Sequence, residues 1–583
     1  MSVLKIEEII QQKAPEFFDR YPGPIRKLIL FFLRKILVLS KLDDLLIRHE
    51  DKIGVDFIDA VFDDLNCSYM VSARDMQKIP AEGKLIVVSN HPLGGLDAFA
   101  LISALSDVRK DVRIVANDVL LAVPPIRELC LPFDVFSSKP QLEAVMNIQR
   151  ALMNDEVVIF FPAAEVSRAN IIRGIYDRKW KRGAVQMAQK LQAPILPVFI
   201  KARNSSMFYI ISLLHRRLST LLLPRQIFHQ RNRNITLVVG DPIPPTVFRK
   251  GVIDLNAQSK LLRKHTYRIG HHKRGIFRTE KTIIHPTNQR ILKDDLMRSR
   301  LLYHSTDGKA VYLVEMPIGR HVLREIARLR ELTFRKVGEG TGNRYDRDIY
   351  DNYYKHIVLW DEKEMEIIGS YRIGFCGEII AEKGLNAIYN ASLFNFSPEF
   401  AAIMQQSIEL GRSFIQYRYW RSNALDLLWK GIGALLSERS DIRYLFGAVS
   451  ISDAYSHDAK NLLVRYYKKW YPGVEGQVVS KKRFLLSRHQ EEVADQILAG
   501  TDYKEDYQNL RMGLKSLGFT VPILYKQYSE LCEYGGVQFL DFGIDPSFGM
   551  CIDGLVLLDL SRLDPRSRGR YFTEESSPNE TSQ

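Results

Sequence analysis

Asn90-His91-Pro92-Leu93-Gly94-Gly95-Leu96-Asp97 holds residue types that can acylate an alcohol. A neutral imidazole can take the proton of a hydroxyl. A nearby carboxylate can fix the imidazole's tautomer and stabilise the imidazolium that forms. The two glycines permit a tight turn and a close backbone approach to substrate. The same residues also suit an ordinary turn and helix cap, since His-Pro and Gly-Gly mark turns and Asp caps helices. A second segment favours the chemistry. Phe161-Pro162-Ala163-Ala164-Glu165-Val166-Ser167-Arg168 places a carboxylate, a hydroxyl and a guanidinium after a short apolar run.

Both segments need a frame. Short apolar runs at 85–89, 112–116, 157–161, 195–200 and 235–239 predict strands. Residues 98–105, 141–153 and 182–191 predict helices between them. This alternation predicts an α/β domain with helices on a sheet. In open α/β sheets ligands bind at the C-terminal ends of strands, where both segments fall.

Residues 25–39, IRKLILFFLRKILVL, predict a helix with Arg26, Lys27, Arg34 and Lys35 on one half and Leu and Phe on the other. Four charges argue against a spanning helix, so an interfacial helix competes with one packed on its own core. Residues 203–225 mix aromatic, leucine-rich and basic residues and could rest on lipid, cover an acyl tunnel or pack in the core.

Composition narrows the function classes. Five scattered cysteines without a C-x-x-C pair argue against a disulfide framework or a cysteine zinc site, and no metal set is expected. Residues 1–16 carry acids and no apolar core, so no signal peptide is expected. Residues 1–300 hold 47 Lys+Arg against 30 Asp+Glu, whereas the remainder holds 35 against 38. Such a basic half suits an anionic membrane or an acidic carrier protein. No zinc-finger, ribonucleoprotein or helix-turn-helix pattern supports nucleic acid.

The first half resembles the lysophospholipid acyltransferase family over about residues 50–250. The residues concerned are the Asn-His…Asp block, the Phe-Pro block and Pro194-Ile195-Leu196-Pro197-Val198. The resemblance makes His91 the base and Asp97 its orienting acid. It puts Asn90, Phe161, Pro162, Glu165, Ser167 and Arg168 at the substrate. Two departures stand out. Five residues separate His91 from Asp97 where the family has four, and Glu165 falls two positions later than the family's glutamate. The second departure argues against a phosphate-bearing acceptor and toward the aminolipid branch.

The second half predicts strands at 311–314, 356–360, 364–374 and 444–450, with helices at 320–336, 423–438 and 453–469; residues 407–415 precede the helix at 423–438. Arg330-x3-Phe334, the segment with Asp346, Asp348 and Asp351, Gly369-Ser370-Tyr371-Arg372 and Glu409-Leu410-Gly411-Arg412 resemble the GNAT branch. That branch holds the hemolysin-like ornithine N-acyltransferases and is related to acyl-homoserine lactone synthases. Residues 534–558, with Asp541 and Asp553, resemble those aminolipid enzymes too. The implied fold is a mixed α+β GNAT-like domain. Glu409 or Asp351 would take a proton or bind the acceptor's ammonium, and Arg372 or Arg412 would fork its carboxylate. For Glu409 and Arg412 the competing reading is an i,i+3 ion pair on a helix surface. Gly431-Ile432-Gly433-Ala434 departs from an acetyl-CoA loop, because Leu428 stands in the basic position; the glycines then mark helix packing.

Together these resemblances imply a bifunctional aminolipid synthase of the ornithine lipid type, peripheral on the cytoplasmic side of a bacterial inner membrane. One domain would N-acylate an amino acid, ornithine first, with a 3-hydroxyacyl group. The other would esterify the hydroxyl of that lyso-aminolipid. Acyl carrier protein is the expected donor, CoA the alternative, and no cofactor is expected. The competing readings are a 1-acylglycerol-3-phosphate acyltransferase fused to an unrelated N-acyltransferase, a glycine lipid synthase, and a hemolysin-like membrane-active protein without catalysis. The expected domains are 1–255 and 306–565, joined by a basic connection at 256–305 and followed by a disordered tail at 566–583.

Overall fold

Strand-forming runs that are apolar on both faces dominate the first half, and they build a largely parallel sheet. The computed structural model describes residues 23–117, 123–133, 141–170, 174–248 and 254–572. The chain divides into two units, Met1–His285 and Pro286–Gln583. In the first unit the strands are β1 (Ser68–Val71), β2 (Leu85–Ser89), β3 (Val112–Ala116), β4 (Cys130–Pro132), β5 (Val157–Phe160), β6 (Arg168–Asn170), β7 (Gly174–Tyr176), β8 (Ile195–Lys201) and β9 (Asn234–Val239). Seven of them form one sheet in the order β1-β9-β8-β2-β5-β3-β4, while β6 and β7 make a separate hairpin. The sheet is parallel from β8 to β4, and β9 pairs antiparallel with β8. Every residue of β2 is buried, as a central strand covered on both faces must be. Helices Gly54–Asp64 and Leu96–Ser106 cover one face; Leu142–Met153, Gly183–Leu191 and Leu255–Gly270 cover the other.

The expected connection at 256–305 is not a linker. Helix Leu255–Gly270 is capped by Asp254, which accepts from Asn256 N (2.8 Å) and Ala257 N (3.3 Å), and it packs in the first unit. Its buried face includes Gln258, Ser259, His265 and Thr266, so an apolar period does not reveal it. The break between units falls after His285, and helix Gln289–Met297 belongs to the second unit. The helix expected at 25–39 runs Gly23–Ile36, and a second follows at Leu39–Arg48 after Val38 turns left-handed (φ 53°). Gly23–Ile36 buries none of its residues, and Phe31 is 60% exposed. Of helix Ser206–Leu214 only Phe208 is buried; elsewhere in the 203–225 stretch Asn204 and Ser219 are buried as well.

In the second unit the strands are β10 (Arg300–His304), β11 (Lys309–Val314), β12 (Lys355–Asp361), β13 (Glu366–Phe375), β14 (Phe394–Phe396), β15 (Ser407–Ile415), β16 (Tyr444–Ile451), β17 (Val478–Ser480), β18 (Val537–Asp545) and β19 (Cys551–Asp559). Eight form a sheet in the order β10-β11-β12-β13-β15-β16-β19-β18. All its neighbours are antiparallel except β15 and β16, which are parallel and pair only over Ser407–Glu409 before parting. Helix Arg320–Val337 lies on one face and Ala424–Ser437 with His457–Trp470 on the other. Gly431 abuts the Val311 side chain and Gly433 the Tyr571 carbonyl, so both glycines serve helix packing. The expected tail begins as a helix, Pro565–Tyr571; residues 573–583 lie outside the described residues, as do the N-terminal residues 1–16.

Candidate active sites

β2 delivers His91 just beyond its C-terminal end, and helix Leu96–Ser106 brings Asp97 back in its first turn. His91 Nδ1 lies 2.9 Å from Asp97 Oδ2. That oxygen also accepts from Leu93 N (2.9 Å) and Gly94 N (3.3 Å), and Oδ1 accepts from Ala98 N (3.0 Å). The extra residue between His91 and Asp97 is therefore absorbed by a loop that wraps the carboxylate. Gly94 makes this possible at φ 91°, where an added Cβ would press on Val166 and Leu223. Burial disfavours the charged form of both groups, but their mutual attraction outweighs it. His91 is held above the usual imidazole range and Asp97 below the usual carboxylate range. The His91 side chain keeps 18% of its surface, and its ring stacks on Phe161 at 4.2 Å. A neutral imidazole tied through Nδ1 has Nε2 left for a substrate hydroxyl.

A residue that sequence reading missed stands behind this loop. Asp177 accepts from Trp180 Nε1 (2.9 Å), from the Ser167 hydroxyl and, at 3.4 Å, from His91 N. Ser167 N in turn donates to the His91 carbonyl at 2.7 Å. Burial pushes the Asp177 carboxyl up, partly offset by these donors. Its only sequence signal is an acid alone in the basic run Asp177-Arg178-Lys179-Trp180-Lys181-Arg182.

The other first-unit candidates take distinct places. The Asn90 amide pairs with both backbone groups of Ile200, at 2.9 and 2.7 Å, and joins the ends of β2 and β8. Pro162 is buried and its carbonyl accepts from Lys181 N. Ala163 and Ala164 occupy the family's Glu-Gly positions; Ala164 retains a left-handed φ of 59°. Glu165 lies 3.7 Å from Arg168 and 3.3 Å from Arg178. Arg168 reaches the hydroxyls of Ser219 and Thr220.

In the second unit helix Arg320–Val337, residues 346–351 and strands β12, β13 and β15 bring together a buried ion network. Arg330 forks Asp351 (3.1 and 2.7 Å) and donates to the Asp346 carbonyl. Arg372 donates to Asp348 (2.6 Å) and Asp351 (3.3 Å). Against the cost of burial, the two arginines hold Asp351 far below the usual carboxylate range. His356, 3.6 Å from Asp351, is pushed down to about 3 by burial and stays neutral. Glu409 and Arg412 lie on β15, not on a helix. Pairing of β13 with β15 shifts between Ser370 and Arg372, where Arg412 takes φ 46°; this bulge brings its guanidinium to Asp346 (3.5 Å) and Asp348 (3.9 Å). Glu409 is held by Asn390 N (2.7 Å), Asn390 Nδ2 (2.6 Å), Tyr389 N (3.2 Å) and the Tyr354 hydroxyl. It thereby fixes the Tyr389 ring about 5 Å from both Arg372 and Arg412. Burial raises its pKa despite these donors. Tyr389 and Asn390 had no signal in sequence; Tyr354 shows there as part of the aromatic cluster Tyr350, Tyr353 and Tyr354, but not as a partner of Glu409, 55 residues away.

Pairing of β15 with β16 ends at Glu409, three residues before Arg412. On β18 and β19, Asp545 and Asp553 are buried, as is Glu339. Burial and their mutual repulsion push Asp553 up to about 7; burial does the same to Glu339. Asp553 is within electrostatic reach of Arg412. Among the described residues, no group of His, Cys, Asp and Glu could hold a metal ion, and no helix is long and apolar enough to cross a membrane.

Known proteins match each unit. A model described as an acyltransferase family matches residues 8–273, and one described as an acetyltransferase (GNAT) domain matches residues 329–430. A glycine N(alpha)-acyltransferase of Bacteroides thetaiotaomicron is 32% identical over 313 residues, 51% of this chain and 91% of its own. A lyso-glycine lipid O-acyltransferase of the same organism is 28% identical over 257 residues, 42% of this chain and 91% of its own. Among solved structures, the 1-acyl-sn-glycerophosphate acyltransferase of Thermotoga maritima is 16% identical, covering 42% of this chain and 97% of its own with a TM-score of 0.25. The chain is therefore an acyltransferase with an N-terminal acyltransferase domain and a C-terminal GNAT-like domain, which sets aside the non-catalytic reading.

Proposed function

The chain belongs to the family of the glycine N(alpha)-acyltransferases, and from that premise we propose that it builds an aminolipid in two acyl transfers. The carrying observation is that one chain holds both a His91–Asp97 dyad and, in a separate unit, the Arg372–Asp351–Arg412 network near the end of the β15–β16 pairing. The second unit N-acylates an α-amino acid with a 3-hydroxyacyl group from a thioester of acyl carrier protein. Arg412 and Arg372 face the acceptor's carboxylate, and Glu409 positions Tyr389 between them. The first unit then esterifies the 3-hydroxyl. His91 takes its proton as the oxygen attacks the second thioester. The order follows from chemistry, because that hydroxyl arrives on the first acyl chain.

Glycine, the amino acid in the relatives' names, is the first reading for the head group. A specific observation favours a second, ornithine: Glu339, Asp545 and Asp553 form a buried acidic wall suited to a second ammonium. Helix Gly23–Ile36, with its exposed Ile25, Leu28, Phe31 and Phe32 and its four cations, is read as an anchor on an anionic inner-membrane surface. Purified protein given a 3-hydroxyacyl thioester with glycine or ornithine decides the head group. An N-acylated product from one amino acid and not the other assigns it, and product from neither overturns the reading of the second unit.

A further inference from the structure

A cleft of about 1150 Å³ opens in the first unit between the end of β8, the hairpin β6–β7 and the C-terminal end of helix Leu255–Gly270. Lys201, Arg203, Lys264, Arg268 and Lys273 line it, and among the described residues no carboxylate does. Among the described residues none of these five cations has an ion-pair partner. Its inner wall is Asn90, Pro92 and Ser167, the backbone on either side of His91 and the residue whose N–H holds the His91 carbonyl. Tyr176, Phe199 and Tyr267 supply an uncharged floor. We propose that this cleft binds the phosphate-bearing pantetheine arm of the acyl donor for the O-acyl transfer.

Charge selects the donor over the acceptor. An N-acyl amino acid brings one carboxylate, and one arginine fork satisfies it. Five cations without an ion-pair partner make a field suited to a ligand with several negative charges. A pantetheine phosphodiester meets that need together with the groups it always carries, nucleotide phosphates in CoA or an acidic surface in a carrier protein. The arm between phosphate and sulfur is long and uncharged, which matches a cationic rim leading over aromatic rings to the His91 loop. In the reaction the acceptor's hydroxyl oxygen bonds to the thioester carbonyl carbon and the C–S bond breaks. His91 takes the hydroxyl proton and returns it to the departing thiolate.

The proposal rests on the O-acyltransferase reading, so its test includes a measurement that needs no turnover. Hydrogen exchange of the full chain is followed with CoA, with holo acyl carrier protein, and with anionic phosphatidylglycerol vesicles as separate probes. CoA or holo carrier protein is expected to protect residues 255–273, and the probe that protects more identifies the donor. Lys201→Glu with Lys264→Glu, both exposed, should abolish that protection. The same double variant should raise the donor KM for O-acylation at least tenfold, with the lyso-lipid KM within twofold of the parent. Protection by vesicles alone, or a raised lyso-lipid KM with the donor KM unchanged, overturns the proposal. If CoA or carrier protein protects the cleft but no thioester acylates a lyso-lipid, the O-acyltransferase reading fails and the binding site stands.

Discussion

The two units prepare acyl transfer with opposite means. The first has a hydrogen-bonded His–Asp pair, with its carboxylate held by three backbone N–H groups and its imidazole partly open. The second has arginines and aspartates locked together out of water, and its glutamate is saturated by four donors. An alcohol needs a base to become a nucleophile. A neutral amine is one already and needs mainly to be placed, so a rigid charged cradle serves it. The difference teaches that the first site should fail by losing a proton acceptor and the second by losing its shape.

Removing the base tests the first half of that contrast and carries the largest effect. His91→Ala should lower O-acylation by about 10²–10⁴-fold, and N-acylation by the same preparation should stay within twofold. Product analysis of each reaction checks this. Equal loss of both would dissolve the division of labour.

Breaking the cradle tests the other half. Arg330→Met removes the fork on Asp351 and leaves a buried carboxylate short of its partner. The second unit should lose about 3–5 kcal/mol of stability, read by denaturant unfolding, and N-acylation should go with it. A loss under about 1 kcal/mol would mean that the network is held by its surroundings.

Helix Gly23–Ile36 sharpens the comparison of surfaces. Changing Arg26, Lys27, Arg34 and Lys35 to Gln should weaken binding to anionic vesicles by about 1 kcal/mol per charge and make retention less sensitive to salt. Unchanged retention would move the anchor to helix Ser206–Leu214, whose Met207, Ile210 and Leu214 are also exposed.

Proton linkage gives a smaller, directional test. The base must be neutral to act, and Asp97 holds the His91 pKa above its ordinary value. O-acylation should therefore fall as pH drops through a point above that ordinary value, about 6.5. Asp97→Asn removes the raising charge, so the acid limb should move to lower pH as the maximal rate falls. A limb that stays in place would separate the pair. The smallest effect belongs to Ala164, whose φ of 59° suits glycine. Ala164→Gly should stabilise the first unit by up to about 1 kcal/mol, read as a raised unfolding midpoint; a lowered midpoint would show that the methyl packs usefully.

Local patterns made much of this legible in sequence. The strands at 85–89 and 112–116 match the observed ones to the residue, because each is a short apolar run between turn signals. The His91–Asp97 pair could be named because the two partners lie only six positions apart, at a strand's end and in the next helix's first turn. What escaped depends on long-range packing. Helix Leu255–Gly270 buries polar side chains, so hydropathy hides it. Asp177 and Asn390 act through partners far along the chain, 86 and 19 residues away. The bulge at Arg412 has no residue signature, since arginine does not advertise a left-handed φ.

Lipid mass spectrometry of a host that lacks aminolipids tests the central claim most directly. The host would express the parent chain, His91→Ala and Arg412→Ala. The parent should yield a diacylated aminolipid carrying one amide and one ester. His91→Ala should accumulate the monoacylated amide with a free hydroxyl, and Arg412→Ala should yield neither lipid. A full complement of diacylated aminolipid from His91→Ala, or no aminolipid from the parent when its amino acid and thioester precursors are present, would contradict the account.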